Sequence, residues 1–497
     1  MNNDCILTID QGTGGTKTVI FSSQGQIIAK ANEPLASLYP KPCFVEQDPL
    51  EIYKNVLSSL KKCLKEFVKT AGRNLDEIAC CGISNQRETF LLWDDSGRPL
   101  CNAIVWQCKR SVDVCNRLKD SDMREEVMQR TGLIIDPYFS GTKLIWLCEN
   151  DAAMKNAVDS GKAYFGTIDA WLLFKLTDGQ SYFTDYTNAC RTLLFNINDL
   201  QWDSHLLEKF NLNNLNLPQA QPSSYSYGQT DFAGLLPHTI DISAMVGDSH
   251  AAAFGEGCFW PGMAKATMGT GSSILLNTGA KRIQSKKGMV TTICWSLPGR
   301  VDYALEGIIV SCGATINWLR DGLGLFVDSQ ETQQMALSVE NNNGVYLVPA
   351  FSGLGAPHWK MDARAAILGL TFGCDKNHIV RAALESIGYQ IKDVIAAMEQ
   401  DSRIQLEELK VDGGIITNQF VMQFLADLLR TRVVNIGMEE VSALGAAYLA
   451  GLGQGIFKDI GQLESLNIER KQFYPNTNAK EIYVCYEGWK KVVRQLL

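Results

Sequence analysis

Two glycine-threonine turns, far apart in the chain, constrain the fold more than any other feature. The first is Ile9-Asp10-Gln11-Gly12-Thr13-Gly14-Gly15-Thr16-Lys17, between apolar segments of β type. The second is Met268-Gly269-Thr270-Gly271-Ser272-Ser273, between the apolar residues 263–267 and 274–276. Each reads as strand, tight turn, strand. Glycine lets the backbone approach a ligand closely, so bare N–H groups can face an anion. Two such turns facing each other would clasp a polyphosphate, which predicts two related halves with a nucleotide between them. The site is neither of the common phosphate loops. Gly12-Thr13-Gly14-Gly15 lacks the GxGxxG spacing and enters a strand, and no GxxxxGK[ST] occurs.

With 497 residues the chain is long enough for two to four domains at a prior of ~150 residues each. A net charge of −8 without a basic cluster disfavours nucleic acid and anionic membranes as partners. A small anion can still bind local backbone amides. No apolar run approaches the ~20 residues of a membrane span, and residues 442–453, the nearest, read as a small-residue helix. The opening Met1-Asn2-Asn3-Asp4 has no basic stretch before its apolar residues, so no secretory signal is expected. Fifteen cysteines are scattered without metal-ligand spacing, and the five histidines do not cluster with them. Reduced thiols in a cytoplasmic protein, without zinc, are expected.

Residues 5–9, 18–22 and 26–31 read as a strand meander. Residues 48–70 carry helical spacing at Ile52, Val56, Leu57, Leu60, Leu64 and Phe67, with Asp48 as N-cap and Pro49 in the first turn. Strands follow at 77–83 and 89–93. The hairpin recurs at 263–276, followed by helices at 313–321 and 377–399 and a strand at 408–411 that runs into Asp412-Gly413-Gly414. The class is α/β. Residues 217–245, where Pro and Ser are frequent, read as the connection, with a boundary near residue 250 between a domain 1–250 and a domain 251–497.

If a bound polyphosphate gives up a phosphoryl group, the transfer needs a placed hydroxyl, a base and cations around the moving charge, and several side chains are candidates for these parts. Asp10 follows a strand and could hold Mg²⁺ directly or through water, or simply cap a turn. Asp248, in Val246-Gly247-Asp248-Ser249-His250, stands where a helix begins and on local grounds is an N-cap. His250 beside it reads as packed or facing solvent. Arg87 and Glu88 lie in a loop between strands. They are either a surface ion pair or a donor and acceptor set for neighbouring hydroxyls. Trp106 and Tyr138 are core aromatics or the walls of a site.

Long ordered motifs bear on these readings. They include Asn85-Gln86-Arg87-Glu88-Thr89, Ala103-Ile104-Val105-Trp106-Gln107, Asp136-Pro137-Tyr138-Phe139-Ser140-Gly141-Thr142-Lys143, Thr184-Asp185-Tyr186-Thr187-Asn188, Val411-Asp412-Gly413-Gly414 and Ala443-Leu444-Gly445-Ala446-Ala447. From Asp10 to about Gly453 the chain resembles the FGGY carbohydrate kinase family, and within it is most similar to glycerol kinases. The resemblance implies the two-lobed actin/Hsp70/sugar-kinase (ribonuclease H-like) fold, with ATP in the cleft between lobes. It implies that Asp248 is the catalytic base, that Asp10 and Asp248 hold Mg²⁺, and that Arg87 and Glu88 bind polyol hydroxyls between Trp106 and Tyr138. Gly12, Thr13, Gly14, Lys17, Gly269 and Thr270 are then expected to face phosphate. Gly313, Asn317, Gly414, Ile415 and Asn418 are expected along the nucleotide, with Gly413-Gly414 opening a helix toward an anion.

Departures from that pattern bear on the substrate. Lys17 stands where glycerol kinases usually have arginine, Gly14-Gly15 replaces a Thr-Ser pair, and Asn317 replaces a common glutamine. Ser249 replaces glutamine, and Ser273 replaces a bulky apolar residue. A smaller, more polar wall suits a larger substrate. The retained Arg87, Glu88, Trp106 and Tyr138 pull the other way, so glycerol, giving glycerol 3-phosphate, is ranked ahead of a four- or five-carbon polyol or ketose of the erythritol, xylulose or ribulose type. A non-catalytic nucleotide-binding regulator and an actin- or Hsp70-like ATPase are the rivals from other classes. The segment 228–236 carries neither the arginine nor the histidine used for control in some glycerol kinases, so neither control is expected there. A homo-oligomer, dimer or tetramer, is expected.

Overall fold

The computed structural model describes residues 4–466, 471–476 and 480–497. The opening residues Met1–Asn3, on which the expected lack of a leader rests in part, lie outside them. Among the described residues no helix is long and apolar enough to cross a membrane.

The chain forms two compact units. One takes the residues through Gly257, Thr291–Tyr303 and the segment beginning at Glu440. The other takes Cys258–Val290, Ala304–Glu439 and the C-terminal strand and helix. The units are made of interleaved segments. The reason lies in the helix Val441–Gly453, whose small residues pack against the first unit. A Cβ on Gly445 would lie 1.8 Å from the carbonyl oxygen of Ala251, so only glycine allows this helix to lie on the helix Asp248–Gly255.

The first unit is built on a sheet ordered Ser224–Thr230, Ile240–Gly247, Ile78–Asn85, Cys5–Gly12, Gly15–Ser22, Ile27–Pro34. The expected meander is present, with Asp10 opposite Lys17 in the hairpin. Residues 217–245, expected as a connection, instead supply two strands of this sheet. Their Pro and Ser residues mark the turns around an edge strand rather than a linker. The strands Ile240–Gly247, Ile78–Asn85 and Cys5–Gly12 are parallel, with Ser84 opposite both Asp10 and Val246. Their carboxyl ends therefore share one edge, where ligands bind in open α/β sheets. Helix Pro49–Lys69 forms as its spacing predicts. Asp48 caps it through Leu50 N at 2.8 Å, and Ile52, Val56, Leu60, Leu64 and Phe67 are buried in the core beside the sheet.

A smaller sheet holds Glu46–Gln47, Ala103–Ile104, Phe90–Trp93 and Tyr164–Thr167. Phe90 pairs with Ile104, which brings the segments after Arg87-Glu88 and before Trp106 together.

In the second unit the hairpin arrangement recurs. Met263–Met268 runs antiparallel to Ser272–Gly279 and parallel to Glu408–Asp412. Within this unit the sheet is ordered Ser272–Gly279, Met263–Met268, Glu408–Asp412, Arg432–Asn435, Lys471–Phe473. Helices Lys376–Ser402 and Gln419–Leu429 cover its core.

Candidate active site

Two carboxylates meet at the carboxyl edge of the first sheet. Burial pushes the Asp10 carboxyl up to about 6; the nearby Ser84 hydroxyl and the charge of Lys17 hold it back, while the charges of Asp248 and Glu440 add to the rise. Gly247, not Asp248, is the N-cap of helix Asp248–Gly255, so the capping alternative for Asp248 is corrected. As the first helical residue, Asp248 turns its side chain back: Oδ1 accepts from Ser249 N at 2.6 Å and lies 3.4 Å from Arg87 Nε. Its carbonyl accepts from the Ser442 hydroxyl at 3.1 Å. Two neighbouring carboxylates, both partly exposed, suit a hard divalent cation.

Arg87 and Glu88 are buried, at 5% and 1% exposure, which overturns the surface-pair alternative. Glu88 has a left-handed φ of 61°, a strained setting for a residue with a side chain. Its carbonyl accepts from Ser140 Oγ at 2.7 Å, and its carboxylate takes Arg191 Nε at 2.6 Å. Arg87 reaches Asp248 on one side and His250 Nε2, at 3.0 Å, on the other. His250 is packed, as one alternative had it, but it is fully buried and does not face solvent.

Trp106 and Tyr138 form an edge-to-face pair with centroids 5.5 Å apart. The Trp106 indole donates to Thr13 Oγ1 at 2.9 Å, and Thr13 in turn donates to Gln86 Oε1 at 3.2 Å. The hydroxyl expected to meet phosphate is thus engaged inside the first unit. Beneath the aromatics the buried Lys143 donates to the carbonyl of Tyr138 at 2.8 Å and lies 3.4 Å from that of Val105. Burial pulls its ammonium down to about 8. Lys143 ties the segment before Trp106 to the segment carrying Tyr138. Lys17 pairs with Glu440 at 2.7 Å, and Lys30 lies 3.4 Å from the same carboxylate. Gly12 is partly exposed and Gly14 exposed on the turn, and Ser249 is partly exposed.

In the second unit the turn at Gly269 and Thr270 is tied to the start of helix Gly313–Asp321. Gly313 N donates to the Gly269 carbonyl at 2.9 Å, and Cys312 N and Ala314 N donate to that of Thr270 at 2.9 and 3.1 Å. Asn317 is exposed. Gly414 and Ile415 belong to a short 3₁₀ turn, Gly414–Thr417, so the expected helix opening at Gly413-Gly414 is corrected. The α-helix begins only at Gln419, because Asn418 leaves the helical region and caps Val421 N at 3.2 Å. Asn418 also donates to Thr332 Oγ1 at 3.2 Å. The Ser273 hydroxyl donates to Glu306 at 3.0 Å.

Sequence pattern assigns no role to Arg191, Glu440 or Lys143, the last residue of a quoted motif, and does not mark His250 as a partner of Arg87. Arg191 and Glu88 are 103 residues apart, and no local pattern announces such a pair. Arg191 does follow Asn188 by three residues, at the end of a motif already singled out.

Family models of the FGGY family of carbohydrate kinases match residues 5–255 (N-terminal domain) and 264–453 (C-terminal domain). The chain is 46% identical over 495 residues to glycerol kinase 2 of Thermotoga maritima, covering 99% of this chain and 98% of that protein. It is 46% identical over 494 residues to the glycerol kinase of Caldanaerobacter subterraneus, at 99% and 98% coverage. The crystal structure of Plasmodium falciparum glycerol kinase with ADP superposes with a TM-score of 0.92 at 36% identity, covering 100% of this chain and 98% of that one. Xylulose kinase from Lactobacillus acidophilus shares the fold, with a TM-score of 0.88 at 21% identity over 99% of this chain and 98% of that one.

Proposed function

The chain belongs to the FGGY family of carbohydrate kinases, and on that premise we propose that it transfers the terminal phosphoryl group of ATP to a terminal hydroxyl of glycerol, forming glycerol 3-phosphate. The observation that carries this reading is the cluster at the edge of the first sheet. A partly exposed carboxylate, Asp248, lies beside a buried guanidinium, Arg87, with Asp10 close enough to feel its charge. Asp248 takes the proton from the attacking hydroxyl. Arg87 and Glu88 supply a donor and an acceptor for neighbouring hydroxyls, and the Trp106–Tyr138 pair offers apolar edges to the carbon chain. Gly12, Thr13, Gly14 and Lys17 from one hairpin, and Gly269 and Thr270 from the other, serve the phosphates. Gly313, Asn317, Gly414, Ile415 and Asn418 serve the rest of the nucleotide.

ADP release from ATP, measured with and without glycerol, erythritol, xylulose and ribulose, tests the reading. Release that needs glycerol supports it. Release without any polyol makes the protein an ATPase, and none at all makes it a regulator.

Asp10 and Asp248 fit Mg²⁺, which would screen the triphosphate during transfer. A metal ion and a proton compete for the same oxygens. The Asp10 carboxyl, pushed up to about 6, is protonated below that pH and cannot hold the cation. At limiting Mg²⁺ the rate is therefore expected to fall as pH drops through about 6, and excess Mg²⁺ to move the fall to lower pH. A profile indifferent to Mg²⁺ would remove Asp10 as a metal ligand.

A longer polyol or ketose is the second reading, favoured by Ser249 and Ser273. Ser273→Phe is expected to raise the preference for glycerol over erythritol on the order of tenfold in kcat/KM, the scale on which apolar pockets discriminate by size. An unchanged or reversed ranking would refute the wall role of Ser273.

A further inference from the structure

His250 is fully buried two residues beyond Asp248, and its two ring nitrogens meet different chemistry. Nδ1 lies 3.2 Å from the carbonyl oxygen of Cys294, and Nε2 lies 3.0 Å from Arg87 Nη1. A carbonyl oxygen only accepts, so Nδ1 carries a proton. A guanidinium only donates, so Nε2 presents its lone pair. The ring is thereby neutral and held in one tautomer.

Arg87 is constrained from two further sides. Asp248 Oδ1 lies 3.4 Å from its Nε. Its stem runs across Gly247, where a Cβ would stand 2.7 Å from Arg87 Cγ and 2.9 Å from Cδ. Gly247 is itself anchored, its N–H donating to Thr187 Oγ1 at 2.8 Å. Gly247 makes room for the stem, Asp248 attracts the inner nitrogen, and His250 takes an outer one. The three together leave the guanidinium plane little freedom.

Resting on the polyol kinase reading above, we propose that His250 is a positioning residue for Arg87. Its Nε2 lone pair fixes the guanidinium plane in which Arg87 meets the polyol, and so sets the KM for the polyol without acting on ATP. A long, flexible cation that is already oriented loses less freedom when substrate arrives, which lowers the cost of binding.

Steady-state kinetics on the whole protein, varying glycerol and ATP separately, test this. His250→Phe keeps the ring's bulk and removes both nitrogen contacts. Its glycerol KM is expected to rise on the order of tenfold, the equivalent of one hydrogen bond to a charged group, with the ATP KM unchanged. His250→Gln restores an acceptor toward Arg87 and a donor toward Cys294, and is expected to recover most of the loss. A His250→Phe protein with unchanged glycerol KM, or with both KM values raised alike, overturns the proposal. Parent protein without polyol-dependent ADP release removes the kinase reading and the proposal with it. Active parent with an indifferent His250→Phe removes the proposal alone. Should the Phe variant not fold, nitrogen NMR on histidine-labelled parent still decides. The signal missing from His250→Gln must report a proton on Nδ1 and a lone pair on Nε2, and the opposite tautomer or a doubly protonated ring overturns the proposal.

Discussion

Asp248→Asn is expected to fold and to bind ATP like the parent, while turnover falls by roughly 10²- to 10⁴-fold, the range of a lost general base. The amide is nearly isosteric. Its oxygen can still accept from Ser249 N, a bond of 2.6 Å in the parent, so the start of the helix keeps its local geometry. The carbonyl that receives the Ser442 hydroxyl is backbone and does not change. What disappears is the charge. An amide cannot take the proton of a hydroxyl, and it attracts Arg87 less. Loss of a negative neighbour also lets the Asp10 carboxyl titrate at lower pH, since Asp248 is among the groups that raise it. The variant should therefore show a pH profile displaced downward on its acid side, on top of its low rate. Thermal melting checks the fold, calorimetry with ATP checks binding, and stopped assays check turnover. Rates like the parent's would take Asp248 out of the mechanism.

Local pattern and long-range packing divide what could be read from the chain alone. Helix Pro49–Lys69 was legible because one face repeats at helical spacing and its cap is adjacent in sequence. Both hairpins were legible because a turn is a property of a few consecutive residues. Residues 217–245 misled because Pro and Ser signal turns without saying whether the segments between them pair. Tyr227 is fully buried in the core beneath the first sheet, a partnership that composition does not encode. The interleaved units were hidden for a related reason. Gly445 is small so as to meet Ala251, nearly two hundred residues earlier, and a single glycine in a small-residue run reads equally well as a flexible point. The polar side chains at the sheet edge stood out through their motifs. Their supports did not, because Lys143 acts through the backbone carbonyls of Tyr138 and Val105, which no side-chain pattern marks, and Arg191 through a carboxylate 103 residues away.

Arg191→Met is expected to destabilise the first unit by about 3–5 kcal/mol, the usual effect of leaving one partner of a buried ion pair behind. Arg191 and Glu88 are 0% and 1% exposed, with Nε 2.6 Å from the carboxylate. The guanidinium also sits 5.1 Å above the Phe139 ring, which packs edge-on against Tyr138. Methionine fills much of that space but returns no charge to Glu88. The carboxylate must then protonate or draw in water, and either response loosens the φ of 61° that presents it. Pairing the change with Glu88→Gln separates structure from substrate binding. Removing both charges is expected to restore much of the melting temperature, since two neutral side chains no longer demand compensation. It is not expected to restore polyol binding, because the acceptor for a substrate hydroxyl is weaker as an amide. Stability recovered with the glycerol KM still raised would assign Arg191 to holding Glu88 in place. A single Arg191→Met variant that melts with the parent would show that the pair carries no strain worth holding. If the double variant instead regained both stability and affinity, Glu88 would lose its place in the polyol site.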